Sequence, residues 1–191
     1  MKILISGNPE YGVAQGLNNI LGQEHELAYC SRKNGFELTK DEGRNKLVDL
    51  SLQYDVFINN SALWRFNQSI LLEYVWKAWA DSGKQGHIIN MGSTADRQVK
   101  GGNWAYPVEK GALRHHSLNQ SLGTLGGTGI KVSYIAYGYV STPSVEKKHP
   151  DKIKHTTEEI GKLVKWVLDY PMPNTNIMEL IVDPIQHLTK K

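Results

Sequence analysis

The segment Tyr106-Pro107-Val108-Glu109-Lys110 sets a phenol and an ammonium four residues apart. On a helix, residues i and i+4 are neighbours on one face. A free phenol ionises near pH ~10, too high to move protons readily at neutral pH. A nearby ammonium favours the phenolate and pulls that value down. A phenol tuned this way can give a proton to a carbonyl oxygen or take one from an alcohol. The spacing by itself is cheap, since about one Tyr-x-x-x-Lys match is expected by chance in a chain of this size. Tyr29 and Lys33 make a second match. That pair straddles a strand end and a loop, where i and i+4 do not share a helix face. Position separates the two pairs.

The elements that must hold Tyr106 and Lys110 can be read from hydrophobic spacing. Ile3 to Ile5, Leu27 to Cys30, Phe36 to Leu38, Val56 to Ile58, His87 to Met91, Lys131 to Ala136 and Glu179 to Val182 read as strands. Between them lie helical stretches: one through Ala14, Leu17, Ile20 and Leu21, one from about Asp41, one from Ile70 to Trp79, one from Ala105 to about Leu122, and one opening at Thr156-Thr157-Glu158-Glu159 with the pattern of a helix cap. Alternating strands and helices predict a parallel sheet covered on both faces. Several strands are apolar at consecutive positions, as doubly buried strands require. The expected fold is α/β: a Rossmann-like, doubly wound parallel sheet of about seven strands in the order 3-2-1-4-5-6-7, as a single domain over residues 1–191. Ligands of such sheets bind beyond the carboxyl ends of the strands.

The residues just beyond each strand therefore matter most. After the first strand comes Ser6-Gly7-Asn8-Pro9-Glu10-Tyr11-Gly12-Val13-Ala14. Glycine permits a tight turn and a close backbone approach to a pyrophosphate, and a helix N-terminus favours that anion. After the second strand comes Ser31-Arg32-Lys33, basic where an acidic residue often holds a ribose 2′-hydroxyl. The planar fork of Arg32 suits a 2′-phosphate, so NADP(H) is expected over NAD(H); the plain alternative is that Arg32 and Lys33 are solvated loop charges. Asn59-Asn60-Ser61-Ala62 come after the fourth strand, placed to brace loops or to line a cofactor floor. Asn90-Met91-Gly92-Ser93 end the fifth, which sets Ser93 at the crevice mouth. A lone serine there can equally be a loop cap.

Composition bounds the alternatives. The chain has 191 residues, 40% hydrophobic and 21% charged, with a formal net charge of +3. That balance suits a globular domain. The basic residues are scattered, so no nucleic-acid surface is expected, and Lys190-Lys191 reads as a solvated tail. The apolar start ends too soon, at Gly7-Asn8-Pro9-Glu10, for a signal peptide, and no stretch predicts a membrane span. A cytoplasmic location is expected. The single cysteine, Cys30, excludes an internal disulfide and reads as a buried strand thiol. His115 and His116 point to different helix faces, and no metal site is expected. Trp76 and Trp79 read as core or subunit-interface residues, and Trp104 as a wall near Tyr106.

Together these residues resemble the short-chain dehydrogenase/reductase superfamily over nearly the whole chain. Its glycine-rich turn is similar to Ser6-Gly7 through Gly12-Val13-Ala14, its Asn-Asn-Ala-Gly motif to Asn59-Asn60-Ser61-Ala62, and its serine and Tyr-x-x-x-Lys pair to Ser93, Tyr106 and Lys110. Ser93 and Tyr106 are thirteen positions apart, the family's usual interval. Tyr137-Gly138-Tyr139-Val140-Ser141-Thr142-Pro143 resembles its Pro-Gly-x-x-x-Thr segment. The departures are one extra residue in the glycine turn, Ala14 for its last glycine, Ser61-Ala62 for Ala-Gly, Tyr137 for proline, and short stretches between Asn60 and Asn67 and between Ser144 and His155.

The resemblance implies roles. Ser93 would bind the substrate oxygen, Tyr106 would be the acid/base, and Lys110 would hold the nicotinamide ribose and lower the Tyr106 pKa. Asn67, which could also be a plain helix cap, is the counterpart of the family's asparagine that keeps a proton-relay water. Gly7, Asn8, Tyr11, Gly12, Val13, Ser31, Arg32, Asn59, Asn60, Ser61 and Gly138 would contact the dinucleotide, with Val140 and Thr142 at its carboxamide. The implied function is an NADP(H)-dependent oxidoreductase transferring hydride between nicotinamide and a small carbonyl or alcohol, assembled as a homodimer or homotetramer. Two other readings stand beside it. One is a dinucleotide-binding regulator or sensor that has lost turnover. The other is a nucleotide-sugar epimerase or dehydratase, ranked last because only about fifty residues come after Val140.

Overall fold

The computed structural model describes residues 1–99, 104–172 and 174–185, apart from the side chains of residues 124 and 125. Six parallel strands form one sheet in the order β2-β1-β3-β4-β5-β6. They are β1 (Lys2–Ser6), β2 (Glu26–Cys30), β3 (Val56–Asn59), β4 (Gly86–Met91), β5 (Ile130–Tyr137) and β6 (Glu179–Val182). The helices are α1 (Gly12–Leu21), α2 (Asp41–Ser51), α3 (Asn67–Asp81), α4 (Ala105–Leu125), α5 (Pro143–Lys148) and α6 (Thr157–Leu168). The Rossmann-like class expected from the alternation is the one observed.

Successive strand residues face opposite sides of a sheet. In β1, Leu4 faces one layer, with Phe57, Ile88, Val132 and the apolar stripe of α3. Ile3 and Ile5 face the other, with Ile58, Ile89, Leu17 of α1 and Ile160 and Val164 of α6. Strand residues facing either layer are buried, which explains the unbroken apolar runs. Cys30 is buried in the first layer, and Trp79 is fully buried there, its indole donating to Ser51 Oγ at 2.9 Å. Trp76 packs against the same layer.

One predicted strand does not form. Phe36 to Leu38 lies in a turn-rich loop, so the sheet has six strands, not seven. The strand order is the predicted one with its third member removed. The reason is local. Gly35 adopts a left-handed conformation (φ +90°) that ends a short 3₁₀ turn over Arg32–Asn34. Phe36 N then donates back to Ser31 O at 2.9 Å, and Lys40 N to Glu37 O at 3.0 Å. The backbone bonds are thus spent in turns, while Leu38 is buried and Phe36 packs on the core.

The helix cap at Thr156 forms as expected: Thr156 Oγ1 accepts from Glu159 N at 3.1 Å, and Glu159 Oε2 accepts from Thr156 N at 2.7 Å. The Ser144 to His155 segment, short as it is, holds most of a further helix, α5; Thr142 caps it and Pro143 fits its first turn. α1 and α6 meet backbone to backbone. A Cβ on Gly16 would lie 2.0 Å from Thr157 O, and one on Gly161 would lie 2.6 Å from Gly16 O. This contact fixes α1 against the sheet, with its first turn above the carboxyl end of β1.

Candidate active site

A crevice of about 780 Å³ opens beyond the carboxyl ends of β1, β2, β3 and β5. Of the residues singled out from sequence, Gly7, Asn8, Tyr11, Gly12, Val13, Ser31, Arg32, Asn60, Ser61 and Thr142 line it. Asn59, Gly138 and Val140 do not: Asn59 is buried beneath it, Val140 belongs to the core, and Gly138 packs against Asp183 and Pro184. The volume is of the order of small-molecule and cofactor sites.

The crevice has the chemistry for a nucleotide phosphate. Gly7 and Gly12 hold positive φ, +147° and +59°. A Cβ on Gly7 would come within 2.8 Å of Asn60 Nδ2, so only glycine lets the turn lie this close. α1 begins with no side-chain cap at Tyr11 and no acidic residue in its first turn. Its leading N–H groups and positive dipole end therefore face the crevice unneutralised. The turn is held by Ser6 Oγ, which accepts from Asn60 N at 2.9 Å and Ser61 N at 3.0 Å. Arg32 lies exposed on the crevice wall, and beside it Lys33 pairs with Glu10 at 2.5 Å.

A smaller pocket of about 20 Å³ adjoins the first and shares Ala62, Leu63 and Trp64 with it. Tyr106, Glu109, Lys110, Phe66 and Gln68 complete much of its wall. Tyr106 and Lys110 are on α4, and Ser93 lies just past β4. The Ser93 Oγ accepts from Ala95 N at 3.2 Å, capping a 3₁₀ turn over Thr94–Arg97, and the Ser93 side chain stands near enough to Tyr106 to lower its pKa. Ser93 is thus both a loop cap and a neighbour of the phenol. The rings of Trp64 and Trp104 flank the Tyr106 ring at centroid distances of 6.1 and 6.2 Å.

Electrostatics differ from the sequence expectation at one point. Burial raises the Tyr106 pKa, the neighbouring Ser93 side chain works against this, and the Asp96 charge raises it further. Lys110 is not among the groups that shift it. Lys110 Nζ donates to Gln68 Oε1 at 2.8 Å and Met91 O at 3.0 Å, and stands 5.8 Å from the Tyr106 ring centroid. Burial pushes the Lys110 pKa down to about 8, with Glu109 and Asp96 opposing the fall.

Asn67 starts α3, and its amide is engaged at both ends. Its Oδ1 accepts from the buried Arg44, and its Nδ2 donates to Trp64 O at 2.6 Å. These bonds secure a tight entry, where Arg65 and Phe66 both take left-handed conformations. Asn59 Nδ2 donates to Gln68 O and to Asn90 Oδ1, both at 2.9 Å, which ties β3 to α3 and β4.

Two features of the site are not among the residues expected from sequence. Gln68 is a polar residue on the same helical stripe as Leu71, Leu72, Val75 and Trp79; that spacing is the signal that could have found it. The second is a network below Ser93. Ser93 N donates to Tyr134 Oη at 3.3 Å, and Tyr134 Oη donates to Asp96 at 2.9 Å. Arg97 bridges Asp96 and Glu179, and Arg114 grips Glu179 at 2.6 and 3.1 Å. These residues are far apart in sequence and carry no common spacing.

No protein-family model matches the sequence. The chain is 32% identical over 102 residues to an uncharacterized oxidoreductase of Staphylococcus epidermidis, covering 52% of this chain and 43% of that protein. It is 31% identical over 109 residues to an NADP-dependent 3-hydroxy acid dehydrogenase of Escherichia coli K12, covering 50% and 44%. The matches thus span less than half the length of these curated relatives. Among solved structures, a 4-hydroxyisoleucine dehydrogenase mutant complexed with NADH and succinate superposes with a TM-score of 0.78 at 18% identity, covering 100% of both chains. A 3-alpha-hydroxysteroid dehydrogenase from Pseudomonas sp. B-0831 complexed with NADH gives 0.76 at 16% identity, covering 96% of this chain and 95% of that one. These likenesses, at 18% identity or less, show a shared fold, as does one to a short chain dehydrogenase/reductase family protein with a TM-score of 0.73 at 16% identity. No helix among the described residues is long and apolar enough to cross a membrane.

Proposed function

We propose that the protein is an NADP(H)-dependent oxidoreductase that interconverts a carbonyl and an alcohol. The observation that carries this reading is the meeting of Ser93, Tyr106 and Lys110 at the carboxyl edge of β4, beside a crevice fit for a nucleotide. The nicotinamide, when bound, supplies or accepts the hydride. Everything else falls to the chain's own groups. Gly7, Gly12 and the N–H groups of α1 hold the phosphates. Asn8, Tyr11, Val13, Ser31, Asn60, Ser61 and Thr142 contribute to the same ligand's seat. Arg32 receives the 2′-phosphate, which favours NADP(H) over NAD(H); the relative named as NADP-dependent supports that choice. The Ser93 hydroxyl donates to the substrate oxygen and steadies its growing charge. Tyr106 passes its phenolic proton to that oxygen in reduction and takes it back in oxidation. Lys110 binds the ribose and keeps positive charge near the phenol. Asn59 and Asn67 hold β3 and α3 in place around them. We take the chain to act as one domain, as a homodimer or homotetramer in the cytoplasm, on a small molecule.

The test is consumption of NADPH with a panel of aldehydes, ketones and quinones. Tyr106→Phe is expected to lower kcat by about 10²- to 10⁴-fold, the usual worth of a general acid. Arg32→Ala should cost about tenfold in NADPH affinity while leaving NADH binding intact. Tight NADPH binding without turnover of any carbonyl would sink the reaction.

One observation favours a second reading, a dinucleotide-binding sensor: burial holds the Tyr106 phenol above its ordinary range, and Lys110 is turned to Gln68. Cellular function that survives Tyr106→Phe would select the sensor.

A further inference from the structure

Below Tyr106, the Lys110 ammonium is enclosed by protein, with Lys110 only 6% exposed. Two acceptors meet it there, Gln68 Oε1 and the Met91 carbonyl. Gln68 is itself 4% exposed, and its amide nitrogen donates to Asn59 O at 2.7 Å and Met91 O at 3.1 Å. These contacts fix which way the amide points. Reversing it would set an NH₂ against an ammonium and an oxygen against two carbonyls. Burying an amide is costly unless its hydrogen bonds are made, and an apolar residue could fill the same stripe with Leu71, Leu72 and Val75. The adjacent Asn67 cannot substitute, because Arg44 and Trp64 O occupy its amide.

We propose that Gln68 is a positioning residue: it holds the Lys110 ammonium under Tyr106 and sets how firmly the lysine keeps its charge. The functional consequence rests on the acid–base reading above, whereas the hydrogen bonding does not. The other groups facing Lys110 are Tyr106 and Glu109 on α4, Asp96 in the turn after β4, and Tyr134 on β5, whose hydroxyl lies 3.4 Å from Lys110 O. Glu109 and Asp96 favour the ammonium and burial opposes it. Gln68 supplies the side-chain acceptor that can be replaced without touching either carboxylate.

The experiment compares Gln68→Leu, Gln68→Met and Gln68→Glu with the parent. Lys110 Nζ is titrated by NMR in ¹⁵N-lysine-labelled protein, with the signal assigned through Lys110→Arg, and the fold of each variant is checked by near-UV circular dichroism. The Leu and Met variants should lower the Lys110 midpoint by about one pH unit, a tenfold loss of proton affinity. The Glu variant should raise it by a similar amount. The alkaline limb of kcat/KM should move the same way in each. A residue that only filled space would change thermal stability and leave these midpoints alone. Midpoints unchanged in folded variants, or displaced in the same direction by Leu and Glu, overturn the proposal. Should the parent turn over no carbonyl, the acid–base reading fails on its own, and the Nζ titrations still decide the role of Gln68.

Discussion

Gly16→Ala probes the contact that seats α1 at the edge of the crevice. The added Cβ would lie 2.0 Å from Thr157 O and 2.2 Å from Thr157 C, both backbone atoms, where ordinary contact begins at 3.4 Å. α1 and α6 must therefore part by about 1.4 Å, or one helix must slide. A radial gap of 0.5–1 Å already forfeits about a quarter to a half of a dispersion contact. Leu17, Leu21, Ile160 and Val164 meet in this layer and would lose such contacts. Overpacking costs about 1–3 kcal/mol, and the clash with backbone puts this case at the upper end. Alanine returns up to about 1 kcal/mol through its helix propensity. The net expectation is about 2 kcal/mol of destabilisation, or a Tm lower by about 4–8 °C for a chain of this size. NADPH binding, measured by quenching of tryptophan fluorescence, should weaken as well, because the first turn of α1 moves with the helix. Gly111→Ala is the control: its Cβ would sit 3.5 Å from Asp96 O, an ordinary contact, so it should melt at or above the parent. Equal melting of the two variants would refute the reasoning.

The same geometry sets other outcomes. Trp79→Ala should cost about 3–5 kcal/mol by emptying the core beneath α3, measured by urea unfolding. Glu179→Gln should lower stability by about 1 kcal/mol at pH 7, since the carboxylate is held by Arg114 and Arg97. Those partners depress its folded pKa below the usual glutamate value. Its contribution is therefore complete above the unfolded pKa and fades as pH falls through the folded one, so the two melting curves should converge in acid. Trp64→Ala should raise KM for aromatic carbonyls more than for small aliphatic ones, because its ring flanks Tyr106 and is 63% exposed.

Much of this molecule is readable from its residues. Hydrophobic alternation locates all six strands, and the Thr156–Glu159 cap locates α6, because burial on two faces and N-terminal capping leave local marks. The same logic overcounts at Phe36 to Leu38. There an apolar triplet serves as a loop plug, and Gly35 with its turn bonds decides against pairing. In the site, Ser93, Tyr106 and Lys110 are visible as types at known intervals. The direction of the Lys110 ammonium is not, since it depends on Gln68, forty-two residues away in sequence. The Asp96–Tyr134–Glu179 network is invisible for the same reason: ion pairs between distant elements have no period.

Arg44 carries a consequence of its own. One guanidinium nitrogen donates both to Leu38 O, in the loop that walls the far side of the large crevice, and to Asn67 at the head of α3. Loop and helix head are thus two ends of one short strut. Gln68 is the next residue along from Asn67. Arg32, the proposed 2′-phosphate contact, stands on the same crevice wall as Leu38, so the strut joins that wall to the helix that carries Gln68.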